Sequence, residues 1–123
     1  MAPLLILVHG LDAQQFGGNP PSLKWQQINT DTVRVIFPLG LESQARRVAN
    51  TVNYLKKYHD RSIGERYKNI DIVLQNQTMI SNGYVGLAPY RSEFYTTPPQ
   101  DVSVVGGNWM DILAIHEYRH VQQ

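Results

Sequence analysis

Apolar and polar residues change their spacing several times along this chain, and each change predicts an element. Between residues 32 and 37 they alternate. Val33, Val35 and Phe37 fall on one face, Arg34 and Ile36 on the other, and Pro38 ends the run. Alternation with period two is the pattern of a strand with one face against a core. From residue 41 to about 58 the period lengthens, with Leu41, Ala45, Val48, Val52 and Leu55 at steps of three and four. Glu42, Arg46, Arg47, Asn50 and Lys57 lie mostly off that stripe, which predicts an amphipathic helix. Residues 70–74 alternate again, with Ile70, Ile72 and Leu74 facing inward. Near the end, Asn108 or Gly107 stands where a cap belongs, and a helix is expected from Trp109 onward.

The intervening segments are less regular. Residues 61–68 are polar and contain Gly64, so a loop or short helical turn is expected. Asn82-Gly83 is a turn signal, and residues 83–88 followed by 91–95 read as a hairpin or a broken edge strand that Pro98-Pro99 ends. At the N-terminus, residues 4–8 are an apolar run closed by His9-Gly10. Two readings stay open for it: a signal-peptide remnant, or a buried strand ending in a turn. Residues 16–22, rich in Gly and Pro, resemble an arm or linker. The expected division is therefore a remnant or arm over 1–24 and a compact domain over 25–123. The order strand, long helix, strand, strands, helix predicts an α+β fold. In it, a small mixed β-sheet carries the amphipathic helix and the final helix on one face.

Composition narrows the function classes. A chain of 123 residues suits one domain, which can bury a core without staples. Cysteine is absent, which excludes disulfides, thiolate metal sites and a cysteine nucleophile. Eleven basic and ten acidic residues leave a net charge of +1 with no run of either sign, a poor footprint for nucleic acid or a membrane surface. A membrane span needs about 20 consecutive apolar residues, and none is present.

The candidate chemistry lies in the last helix, where His116-Glu117-Tyr118-Arg119-His120 spells H-E-x-x-H. Residues four apart on a helix lie on one face about one turn apart, so two imidazoles can take neighbouring corners of a zinc tetrahedron. Glu117 is turned about 100° from His116, which suits it to a water rather than to the ligand set. A carboxylate there can act as general base and then return the proton to a leaving amine. Ile112, Leu113, Ile115 and Val121 flank the motif, so the helix is expected to be buried with its histidines pointing into the molecule. Arg119 is the one discordant residue, and it must reach solvent or a carboxylate. As a plain alternative, the two histidines are ordinary polar residues at the end of an amphipathic helix.

With this motif, residues 25–123 resemble the N-terminal half of a gluzincin (peptidase MA-like) zinc metallopeptidase domain. The stretch Trp109-Met-Asp-Ile-Leu-Ala-Ile-His-Glu-Tyr-Arg-His-Val-Gln122 carries most of the likeness; the remainder agrees in element order more than in residues. The chain is also similar to envelope proteins in which such a domain precedes a TolB-like β-propeller. The resemblance implies Zn2+ held by His116 and His120, general acid/base work by Glu117, and an edge strand between Gly83 and Tyr95 that binds extended peptide or protein substrate. In the family the third ligand, a Glu, and an oxyanion-stabilising Tyr or His lie further downstream. Since the sequence stops three residues after His120, the expectation is an incomplete site whose remainder comes from the C-terminal part of the same protein. Weak zinc binding and no peptidase activity of this piece alone follow. The competing expectation is a non-catalytic scaffold or interaction domain that keeps the motif. The absence of cysteine and the possible signal remnant favour an exported bacterial protein of the envelope or periplasm, or a secreted one.

Weaker signals point elsewhere. The run before His9-Gly10 is similar to the oxyanion strand of an α/β-hydrolase, but no serine sits in a G-x-S-x-G elbow. His59 fits a surface position at a helix C-terminus, and Asn76-Gln77-Thr78 matches the glycosylation acceptor, a common accident.

Overall fold

The structure, a computed structural model, describes residues 19–58, 69–79, 82–87, 90–100 and 107–122. The N-terminal apolar run, the 61–68 segment and His59 lie outside these residues. Seven elements follow in order: β1 (Trp25–Asn29), β2 (Val33–Pro38), α1 (Glu42–Tyr58), β3 (Ile70–Gln75), β4 (Gly83–Leu87), β5 (Tyr90–Tyr95) and α2 (Trp109–Gln122). The strands form one mixed sheet of order β1-β2-β3-β5-β4. Both outer pairs are antiparallel, and β2, β3 and β5 run parallel through the centre. The α1 crossover joins parallel β2 to β3, as such a connection requires.

Alternation selects the face. Val33, Val35 and Phe37 of β2, Ile70, Ile72 and Leu74 of β3, and Phe94 of β5 are buried together. Ala45, Val48, Ala49 and Val52 of α1 and Met110, Leu113, Ala114 and Tyr118 of α2 close over them. Both helices therefore cover one face of the sheet, the α+β arrangement expected. Pro38, expected to stop β2, is its last residue, and the edge of pairing there spares it a lost ladder bond. On the opposite face Arg34 forms a two-pronged ion pair with Asp71 on the neighbouring strand, and Arg91 meets Glu93 at 3.1 Å.

Two turns fix the register. In the β1–β2 turn the Thr30 hydroxyl accepts the N–H of Val33 at 3.1 Å and lies 3.1 Å from Asn53 Oδ1, which ties the hairpin to α1. At Pro38-Leu39-Gly40 the chain leaves the sheet, with Gly40 at φ 98°, a conformation that only glycine takes without strain. The Gly40 N–H is then accepted by Glu42 in the first turn of α1. Among the described residues no helix is long and apolar enough to cross a membrane.

Candidate metal centre on α2

Three interactions place α2. The Asn108 side chain accepts the N–H of Met110 at 3.0 Å, the expected N-cap. The Trp109 indole donates to the Tyr95 carbonyl at 2.8 Å, pinning the first turn to the end of β5. Arg47 of α1 grips Asp111 through two bonds of 2.8 and 2.6 Å, and Thr51 adds a third at 3.2 Å. These hydrogen bonds from Arg47, reinforced by its charge and by Thr51, hold the Asp111 carboxyl below its ordinary value against a smaller effect of burial.

With its start fixed, the helical repeat dictates what each later residue meets. Met110, Leu113, Ala114, Glu117 and Tyr118 form the buried stripe, and Ile115, His116, Arg119 and His120 form the exposed one. The expectation that both histidines point into the molecule is thus corrected. The buried stripe follows the i, i+3, i+4, i+7 and i+8 positions counted from Met110, and His116 and His120 fall outside it. Ile115, expected to help bury the helix, is 39% exposed for the same reason. Arg119 reaches solvent, one of the two outcomes its charge required.

The geometry of the pair matches its proposed use. His116 Nε2 and His120 Nε2 are 3.2 Å apart, with the rings edge to face. Two nitrogens about 2.0–2.1 Å from one ion at a tetrahedral angle are about 3.3–3.4 Å apart, so the two imidazoles fit a shared zinc ion with almost no movement. The same separation also suits one imidazole N–H donating to the other, with the tautomer setting which ring donates. Among the described residues no group of three or more His, Cys, Asp or Glu is gathered that could hold a metal. The described residues therefore bring two candidate ligands together, His116 and His120.

Glu117 occupies a different environment. It is 5% exposed and lies against the start of β4: a Cβ built on Gly83 would stand 3.3 Å from Glu117 Oε1. Among the described residues it has no hydrogen-bond or ion-pair partner. Its oxygens are not among the buried side-chain atoms left without a partner, which among the described residues are confined to Ser92 Oγ. Gly83 is the residue that sequence reasoning missed. It reads there as a turn signal, whereas its missing side chain is what lets α2 approach the strand.

Strand β4 is an edge, and β5 lies between β3 and β4, so the expected substrate edge within residues 83–95 narrows to Gly83–Leu87. The Tyr95 N–H donates to the Asn82 carbonyl, which sets the ladder. Residues 82, 84 and 86 then bond inward, and Gly83, Val85 and Leu87 direct their backbone groups outward. No family model, curated protein or solved structure matches this chain.

Proposed function

We propose that this chain contributes the metal-binding helix and the general base of a zinc-dependent metallopeptidase that hydrolyses peptide bonds. One observation carries the reading: two imidazole nitrogens lie 3.2 Å apart on the exposed side of a helix, and Glu117, between them in sequence, is a mostly buried residue against the start of β4. His116 and His120 would hold zinc. When bound, zinc supplies Lewis acidity that polarises a carbonyl and acidifies water.

The chain's own residues then divide the work. Glu117 takes a proton from the attacking water and returns it to the leaving amine. The outward N–H and C=O groups of Gly83, Val85 and Leu87 bind an extended peptide by adding a strand, which needs no particular side-chain sequence. A third ligand must come from outside the described residues, and the later part of a longer protein is the proposed source.

The test is metal uptake by the dialysed chain. Zinc or cobalt binds weakly, with about one site per chain, and His116→Ala and His120→Ala each abolish it. Glu117→Gln leaves uptake nearly unchanged, because Glu117 is not a ligand, and removes turnover in any longer active form. Equal uptake by wild type and His116→Ala would sink the ligand assignment. A domain that keeps the motif without catalysis is the competing reading; it predicts metal uptake with no loss of function in the longer protein when Glu117 is replaced.

A further inference from the structure

We infer that the outer edge of β1 pairs with β1 of a second copy of this chain, as an antiparallel ladder on a two-fold axis through Gln27. Hydrogen bonds at the two ends of β1 define which groups are free. The Lys24 carbonyl accepts from Leu39 N–H at 2.8 Å and Thr30 N–H donates to the Val33 carbonyl at 2.9 Å. Alternate residues of an antiparallel strand bond to the same side, so Gln26 and Ile28 also bond toward β2. Trp25, Gln27 and Asn29 are left with their N–H and C=O groups directed away from the sheet. No described strand takes them, since β1 ends the strand order.

These three residues are symmetric about Gln27. A two-fold axis there sets Gln27 opposite Gln27 of the second copy as a mutually bonded pair, and sets Trp25 opposite Asn29 on either side. Every outward group within β1 then finds a partner, which an isologous contact requires. Exposed edges are ordinarily blunted by charge, proline or a bulge, and Trp25–Asn29 (WQQIN) has neither a charged residue nor a proline and pairs with β2 in unbroken register. Trp25, 41% exposed, gains cover from the second strand. The long-range charge opposing approach is small, because each chain carries only +1 and Arg34 on the adjacent strand is already paired to Asp71. Strand β4, the other edge, offers the same alternation about Val85, but α2 lies against its first residue.

Sedimentation equilibrium of the whole chain tests this. The weight-average mass should climb from 14.0 kDa toward twice that value as concentration rises into the range of hundreds of micromolar, the regime of a small interface. Gln27→Pro removes an outward N–H and no internal bond, so its circular dichroism stays native while association weakens by roughly tenfold or more. Gln27→Lys and Gln27→Glu each place like charges face to face and weaken association roughly two- to fivefold, and mixing the two restores it. A wild type that stays at 14.0 kDa throughout, a Gln27→Pro variant that associates like wild type, or a mixture no tighter than its components overturns the inference.

Discussion

Replacing Gly83 by Ala probes the contact between strand β4 and the motif helix. The new Cβ would stand 2.7 Å from Leu113 Cδ2 and 3.3 Å from Glu117 Oε1. Carbon atoms pack best at about 3.5–4.0 Å, so at least about 0.8 Å of overlap must be relieved. Leu113 is 5% exposed within the core and Glu117 closes the other side, so relief requires a poorer Leu113 rotamer or a shift of α2 away from β4. Overpacking of this kind costs about 1–3 kcal/mol. Ala recovers about 0.5–1 kcal/mol of backbone entropy relative to Gly in a strand. The net loss is therefore about 0–2.5 kcal/mol, centred on about 1 kcal/mol, read as a Tm lower by up to roughly 10 °C for a domain of this size. Leu113→Ala alone costs more, about 2–5 kcal/mol, because it opens a cavity. In the double variant the new Cβ has no methyl to strike and partly fills that cavity. Urea unfolding of all four proteins should show the double variant about 1–2 kcal/mol more stable than the sum of the single losses predicts. Additivity within about 0.5 kcal/mol would refute the close approach of β4 and α2. Zinc uptake by Gly83→Ala should match wild type, because the spacing of the two histidines is set within α2 itself.

Two further outcomes follow from polar groups in and around the core. The Ser92 hydroxyl is buried on β5 without a partner among the described residues, so Ser92→Ala should raise stability by about 1 kcal/mol in urea unfolding, and a loss of stability would reveal a bond to it. The Asp111 carboxyl is held below its ordinary value by Arg47, so its stabilising effect is complete above the unfolded pKa and fades as pH falls through the lower, folded one. With allowance for solvent screening and for its place in the first turn of α2, Asp111→Ala should cost about 0.5–1 kcal/mol at neutral pH and nothing once the pH is below the folded value; a cost that persists in acid would contradict the ion-pair origin.

Some elements could be read from side chains alone, and the reason is the same for each. β2, β3 and α1 each turn a periodic set of apolar residues toward one core, so period and burial coincide. Strand β1 could not be read in this way. Only Ile28 packs against the core from it, and its other residues are polar or exposed. What makes Trp25–Asn29 a strand is the backbone ladder to β2, which leaves no mark on side-chain pattern.

The motif helix misled in a more informative way. Ile112, Leu113, Ile115 and Val121 surround most of the helix with apolar residues, so no single direction stood out as inward. The burial that settles it includes a carboxylate, and periodicity counts a carboxylate as outward. A second departure faces it, since Gly83 opens β4 with a residue that has no side chain to pack there. The two departures meet: the space a Cβ would fill at Gly83 ends 3.3 Å from Glu117 Oε1. A carboxylate-bearing residue on the buried stripe and a glycine that leaves room beside it are both poor choices for packing alone. Natural sequences break local rules in this paired manner where function requires it. The placement of Glu117 beside an edge strand therefore bears on the proposed site independently of the two histidines, because exposed histidines on a helix cost the fold nothing and call for no explanation.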